Sequence, residues 1–320
     1  LEVTATIQYN GKDISADLFP LLESLTYTDN VEGESDELVI TVADPDGRWR
    51  GAWYPDQGAT LTATITADGV TLDCGSFEID EIEFSGAPDR VQIRALAAGV
   101  TKAFRTKRSA SYENETLEGI AKRIATAYGL GIKGTIRPVK IGRRTQHRTK
   151  DLRFLHELAL EFGYVFTVTG RNIVFTDVET IEGAAPVLTI NRADMLGYSF
   201  RDKVLETYSG AVVKYTNPET NETVTGDKSA TATSPDTIEI RTRAEDSTQA
   251  AEKARAALHF ANTKKVEASF GMPGNTRLYA GANVQIADFG AKISGKYHIL
   301  RTTHAYSRGG YTTDIQAKKL

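Results

Sequence analysis

His156-Glu157-Leu158-Ala159-Leu160 opens as a zinc-protease helix opens, with an imidazole followed directly by a carboxylate. Such a site needs a second histidine one helical turn on, so that both rings reach one ion while the glutamate serves as base. Leu160 stands at that position, and the metal reading fails. Gly129, Gly131 and Gly134 reproduce the spacing of a dinucleotide fingerprint. That motif follows a strand and opens a helix, whereas these glycines follow a predicted helix. His147, His259, His298 and His304 show no ligand spacing, and no serine occupies a nucleophile elbow. Glu78 and Asp80 are carboxylates of the kind that pair in glycosidases, although alternating acids more often form the solvent side of a strand. These residues point to no enzyme, no cofactor and no metal.

Charge is more informative than catalytic chemistry. Residues 1–100 hold 19 Asp plus Glu against 5 Lys plus Arg, residues 101–153 hold 14 basic against 4 acidic, and the remainder holds 19 of each. A net charge of −4 therefore conceals a polarised molecule. Opposite fields on two parts of one chain favour internal docking or a head-to-tail contact between copies. The stretch Lys133, Arg137, Lys140, Arg143, Arg144, Arg148, Lys150 and Arg153 is thus a candidate protein interface for an acidic partner. A solvated loop is the plain alternative. Specific nucleic-acid recognition has the least support, because interleaved aromatics and a nucleic-acid fold are both missing.

The elements that carry this stretch lie between residues 110 and 178. Leu117, Ile120, Ala121, Ile124, Ala125 and Tyr128 recur at the spacing of one helix face, with Asn114 or Thr116 as cap and Gly129 at the stop. A basic connector leads to a second helix with Thr149 as cap, Asp151 in its first turn and Leu152, Leu155, Leu158, Ala159 and Phe162 as its buried stripe. Residues 164–169 and 172–178 then form a hairpin around Gly170-Arg171.

On either side the pattern is β. Before the insert, short alternating runs begin with residues 3–9 and the Asn10-Gly11 hairpin signal, and continue to residue 96. Asp44-Pro45-Asp46-Gly47-Arg48-Trp49, with Trp53 and Tyr54, puts both tryptophans in one loop that should pack over the end of a barrel. After Gly183-Ala184-Ala185-Pro186 a second β region follows. The polar residues 216–236 are expected to form an exposed, mobile loop. Residues 246–262 should form a helix whose small buried side (Ala250, Ala251, Ala254, Ala257, Leu258, Ala261) lets it lie close to a sheet, with Asp246 and Gln249 as a capping box. The reading is α+β, mainly β: residues 1–100 a first β-barrel domain, 101–183 a small α/β insert, and 184–320 a second β-barrel domain.

Length and composition suit about two domains, or three if one is small, and lack a disorder signature. No apolar run approaches a membrane span and no signal peptide opens the chain. It begins at Leu1 without Met, as though native residues precede it. The single Cys74 can form no internal disulfide, fits a reducing cytoplasm and reads as buried filler.

Three stretches together resemble the late control protein D family of contractile-tail baseplate hubs, related to the base of type VI secretion spikes. The first is Asp44 to Trp49 with Trp53, Pro55 and Gly58. The second is Thr116-Leu117 to Gly129-Leu130 with Asp151 to Ala159, Phe162-Gly163-Tyr164 and the hairpin through Phe175. The third runs from Ala280-Gly281-Ala282-Asn283-Val284 through Gly295-Lys296-Tyr297 and His304 to Gly310-Tyr311-Thr312-Thr313. The resemblance implies two tail-tube-like antiparallel β-barrels per chain and a homotrimeric ring of near six-fold symmetry. That ring would join the tail tube protein to a central spike, here a separate chain, and continue the DNA channel. Tape measure and other baseplate proteins are further partners it implies, with localisation in the virion tail after synthesis in the bacterial host cytoplasm. An acidic channel wall would let DNA slide without sticking, since carboxylate repels phosphate. The competing readings are a tail-tip peptidoglycan hydrolase and a receptor- or carbohydrate-binding tail protein with Trp49, Trp53 and Tyr54 lining a sugar groove.

Overall fold

The computed structural model describes residues 2–31, 35–97, 106–169, 172–203, 208–217, 221–229, 236–262 and 266–320. The expected boundary at residues 98–100, with Lys102 and Arg105 beyond it, and the Gly170-Arg171 turn lie outside them. The fold is mainly β with a smaller helical part. Alternation dictates the strands: in Thr60–Ala67, Leu61, Ala63, Ile65 and Ala67 turn inward, and in Arg90–Ala97 so do Val91, Ile93, Ala95 and Ala97. This is the period of a sheet buried on one face. Asn10-Gly11 and Asp68-Gly69 both take left-handed backbone at two successive residues, which two-residue hairpins demand.

Thirteen strands form one sheet. Its main path runs Gly197–Asp202, Val266–Pro273, Gly310–Lys319, Gly295–Ser307, Leu22–Asn30, Glu37–Ala43, Arg90–Ala97, Val70–Ser85, Thr60–Ala67, Val3–Tyr9, Lys12–Asp13. Leu188–Ile190 pairs in parallel with Asn283–Ile286, which pairs with Gly295–Ser307. The early and late β regions therefore share a ladder, with Gly295–Ser307 antiparallel to Leu22–Asn30 from Arg301↔Asn30 to Ser307↔Ser24. No hydrogen-bonded closure of either half into a separate barrel is found among the described residues. Each half has its own core. Ile7, Leu25, Ile40, Ile65, Phe77 and Ile93 belong to the first, and Phe270, Val284, Ile286, Tyr297 and Ile315 to the second. Tyr311, from the late strand, packs into the early core.

Between them, the helices Leu117–Ala127 and Asp151–Glu161 cover a three-stranded sheet in which Asn172–Asp177 lies between Tyr164–Thr169 and Gly131–Lys133. Leu117, Ile120, Ile124, Leu155, Leu158 and Phe175 are in its core. Two expectations need correction here. The basic connector is half of a β-ribbon: Lys140–Lys150 pairs antiparallel with Lys107–Thr116. Its outward charges broke the apolar alternation that marks a strand. Thr149 does not cap the second helix, because its hydroxyl donates to the His147 carbonyl at 2.8 Å and Lys150 occupies the cap position without a side-chain bond.

A further correction concerns residues 216–236. Thr223–Ser229 is a strand, paired with Gly210–Thr216, which also pairs in parallel with Thr237–Ile240. Val224 is the strand's sole apolar side chain apart from glycine, so its pattern resembled a loop. The helix Ser247–Asn262 lies across it, and Gly226 is where they touch: a Cβ there would stand 2.1 Å from the Ala251 nitrogen. Ala250 and Ala254 are the small buried residues on the helix side. Among the described residues no helix is long and apolar enough to cross a membrane.

Candidate functional site

The join between the two β halves is the central geometric feature. Tyr27 and His304 are directly paired across it and their rings stack. The His304 Nε2 lies 2.9 Å from the Leu278 carbonyl, which only accepts, so Nε2 carries the proton and Nδ1 accepts from the Tyr311 hydroxyl at 2.7 Å. Burial holds His304 down to about 4, with the Leu278 bond acting in the opposite sense. Asp29, on the same early strand, accepts from the Ala280 N–H at 2.8 Å and ties the join to the late region.

Beside the join, a cavity of about 460 Å³ is lined by the early half, by the insert through Val165, Phe166 and Ile181, and by the late region through Tyr279 to Gly281. Asp29, Asp36 and Asp73 contribute carboxylates. Burial pushes Asp29 and Asp36 well above the ordinary carboxylate range, and Asp36 is raised further by Asp29. Sequence reasoning missed this pair; Asp29 and Asp36 sit among many acids, and nothing in their spacing marks them as buried.

At the end of the early half, Asp44 builds the aromatic loop. Its carboxylate accepts from the Trp49 N–H and the Arg50 Nε, both at 3.2 Å, and Arg50 also pairs with Asp89. Gly47 supplies the left-handed residue of the turn. Trp49 is thereby inserted into the core at 6% exposure, with Trp53 edge-on against it at 5.7 Å. Tyr54 is 51% exposed and stacks on Phe84. A shallow sugar groove would need the indole faces in solvent, so the burial of Trp49 favours a plug over a carbohydrate platform.

The basic stretch divides by role. Arg137 is structural: it donates to the Tyr164 hydroxyl, the Phe162 carbonyl and Glu252 of the 247–262 helix, at 2.9, 2.8 and 3.0 Å. Burial alone would lower its pKa, but these partners raise it. Arg144 pairs with Glu161 at 3.0 Å, while Arg143–Glu113 and Arg153–Glu157 are surface pairs worth little. Lys133, Lys140, Arg148 and Lys150 are exposed and have no ion-pair partner among the described residues.

Beneath the ribbon lies a polar centre that the sequence reading placed only as a first-turn acid. Asp151 is fully buried and accepts from the Arg108 Nε at 2.7 Å, the Tyr128 hydroxyl at 2.6 Å and the Gln146 amide at 2.6 Å. Burial, then the bond to Asp151, pushes the Tyr128 hydroxyl up to about 12. The centre fastens the ribbon to both helices. No ligand is needed to account for it.

The remaining candidate chemistry has structural explanations. His156 packs edge-on against Phe166, and Glu157 faces Arg153 at the surface. Gly134 is left-handed and presses on the Phe175 carbonyl, where a Cβ would sit 2.0 Å away. His298 bonds Asn283 at 2.9 Å and is held down to about 3 by burial and then by Lys318, while His259 is held to about 4. His147 is exposed. Glu78 and Asp80 line neither the cavity beside the join nor the pocket under the aromatic loop. Among the described residues no group of three or more His, Cys, Asp or Glu could hold a metal ion.

Comparison with known proteins agrees with this geometry. The profile of the family named Phage tail baseplate hub (GPD) matches residues 74–310. A probable baseplate hub protein of Escherichia phage P2 is 32% identical over 216 residues, covering 65% of this chain and 55% of that protein. The chain thus spans about half the length of the curated relatives it matches. Among solved structures, the fold is similar to the 43 kDa tail protein of prophage MuSo2 from Shewanella oneidensis, with a TM-score of 0.74, 14% identity, and coverage of 99% of this chain and 98% of that one. It is also similar to the Escherichia coli c3393 protein, a component of the type VI secretion system that exhibits structural similarity to the T4 tail proteins gp27 and gp5. There the TM-score is 0.61 and the identity 11%, covering 100% of this chain and 77% of that one. With one profile spanning most of its sequence, the chain belongs to the phage tail baseplate hub (GPD) family.

Proposed function

We propose that the chain is a non-enzymatic structural hub of a contractile phage tail or phage-like injection machine, working by geometry alone. In this reading residues 1–100 and 184–320 are two tube-like barrel units and residues 101–183 an insert between them. Three copies present six units around one axis and close through heterologous contacts. The ring joins the tail tube to the central spike and passes DNA without base-specific contact. Tape measure and other baseplate proteins are its further neighbours. The protein acts in the virion tail, after synthesis in the host cytoplasm.

The observation that carries this reading is the shared ladder from Arg301↔Asn30 to Ser307↔Ser24. It lays the two β halves side by side as one rigid block, where a flexible linker would leave them free to take any relative angle. The likeness in fold to phage tail proteins supports it. The test is electron microscopy of the purified chain and of assembled tails, with mass from sedimentation. A three-fold particle with six lobes, seated between tube and spike, is the expected image; another rotational order or another location sinks the proposal. Failure of the purified protein to clear a cell-wall suspension is expected, and clearing would establish the hydrolase reading instead.

A further inference from the structure

We infer that residues 81–85 pair through their open edge, antiparallel, with the open edge of Gly197–Asp202 on a second copy of this chain. An internal repeat selects these two edges. In chain order, Leu22–Asn30, Glu37–Ala43, Thr60–Ala67, Val70–Ser85 and Arg90–Ala97 correspond to Gly197–Asp202, Val266–Pro273, Asn283–Ile286, Gly295–Ser307 and Gly310–Lys319. Both sets stand in the sheet in the order first, second, fifth, fourth, third, and every neighbouring pair is antiparallel. The row Tyr27, Leu38, Ala95, Ile79 crosses one set as Phe200, Ala268, Ala317, Ile299 crosses the other. The long strand breaks register at the same point in each, after Ile79 and after Ile299. There the Ile79 N–H donates to the Ala59 carbonyl and the Ile79 carbonyl accepts from the Gly58 N–H, as Ile299 does with Ala282 and Gly281.

The join within the chain uses one edge from each set. From Arg301 onward, Gly295–Ser307 has left Asn283–Ile286 and pairs on that side with Leu22–Asn30. The corresponding edges of the opposite sets are unused. From Glu81 onward, Val70–Ser85 has left Thr60–Ala67, and Gly197–Asp202 ends the sheet, so neither has a strand on that side among the described residues. An open, regular strand edge is a template for another chain. One copy can therefore repeat its own join with the next, head-to-tail, each using each edge once.

Transferring the register of the join fixes the pairs. Arg301↔Asn30 becomes Glu81 opposite Lys203, Thr303↔Thr28 becomes Glu83 opposite Arg201, and His304↔Tyr27 becomes Phe84 opposite Phe200. This register rests on backbone pairing alone, yet both acids meet cations, as cross-strand partners should. Opposed residues share a face, so the charges lie on one side and Phe84 with Phe200 on the other. Glu81 and Lys203 already pair with Arg94 and Glu267, whereas Glu83 and Arg201 are exposed and have no ion pair among the described residues. Exposure agrees with a missing neighbour: His304 and Leu25 are buried at the join, while their counterparts Phe84 and Tyr198 are 37% and 45% exposed. The contact deepens the ring reading and rests on it, but the two can fail separately.

The experiment mixes two full-length variants, Ser85→Cys and Ser199→Cys, whose exposed serines become direct partners by transfer of Ala305↔Thr26. Directly opposed residues hold their Cα atoms about 4.5–5.5 Å apart, within disulfide reach. Mild oxidation should give covalent dimers in the mixture and none in wild type or in either variant alone. In sedimentation, Glu83→Arg and Arg201→Glu should each weaken self-association roughly tenfold, and the chain carrying both should recover it. Circular dichroism checks that every variant folds, since all four positions are at the surface. Association without the cross-link overturns this contact and leaves the ring standing, and a double variant that stays weak overturns the register. Cross-linking within one variant alone shows like edges meeting and overturns the contact. A wild-type chain monomeric throughout overturns both readings.

Discussion

Tyr27 and His304 stack across the join of the two β halves, with ring centroids 6.1 Å apart and planes 17° from parallel. Both are buried, and the imidazole is wedged between the Leu278 carbonyl and the Tyr311 hydroxyl. Protonating Nδ1 would turn an acceptor into a second donor facing a hydroxyl that now donates to it.

That arrangement sets an acid limit. His304 has a folded value of about 4 against about 6.5 in an unfolded chain, so between those values the unfolded state binds the proton first. Stability should therefore fall as the pH drops through this window, by on the order of 1 to 3 kcal/mol from this residue. His298 and His259 act in the same direction. Thermal melts of wild type and His304→Gln at pH 7, 5.5 and 4.5 check it: the variant should be less stable at pH 7 and show a flatter decline.

The buried acids respond in the opposite sense. Asp36 and Asp29 have raised folded values, so the folded state holds their protons more tightly, and stability is lost as the pH rises through those values. Asp36→Asn keeps an oxygen for the Asn30 N–H, now accepted at 2.9 Å, and removes one of two repelling charges. At pH 8.5 it should raise the melting temperature, by on the order of 1 kcal/mol in stability. An unchanged or lower melting temperature would mean that the charge is compensated.

Asp151 is the converse case, a buried acid whose partners need it. Replacing it with Ala strands the Arg108 guanidinium, the Tyr128 hydroxyl and the Gln146 amide together. Urea unfolding should show a loss of about 3 to 5 kcal/mol, the cost typical of removing one member of a buried ionic cluster. Asp151→Asn should lose less, because an oxygen remains.

Gly226 tests the contact between strand and helix. Any Cβ there must displace the helix backbone at Ala250 and Ala251. Gly226→Val should cost about 1 to 3 kcal/mol and speed hydrogen exchange in residues 247–262. Protection equal to wild type would show that the helix can shift without loss.

How much of this was legible in the sequence depends on where each pattern came from. The 117–127 and 151–161 helices could be read because their apolar residues repeat on one face, and Asn10-Gly11 because the turn demands its residues. Thr223–Ser229 and the 107–116/140–150 ribbon could not, because their outward residues are polar and backbone bonds, which sequence does not display, hold them. The two tryptophans marked one aromatic loop in the sequence, but not that Asp44 folds it or that Trp49 is the more buried of the pair. The shared ladder was not, since nothing local in Leu22–Asn30 names a partner at Arg301–Ser307. The basic stretch was seen as one surface, yet Arg137 and Arg144 serve the interior and only part of it faces solvent.

The shared ladder also constrains when the protein can finish folding. Leu22–Asn30 leaves the ribosome long before Arg301–Ser307 exists. At about 5–20 residues per second the interval is on the order of tens of seconds. Throughout it the early half has an open strand edge and lacks Tyr311 from its core. An unpaired strand edge of that kind is open to wrong pairing, so the last-made residues also close the early half's most exposed liability.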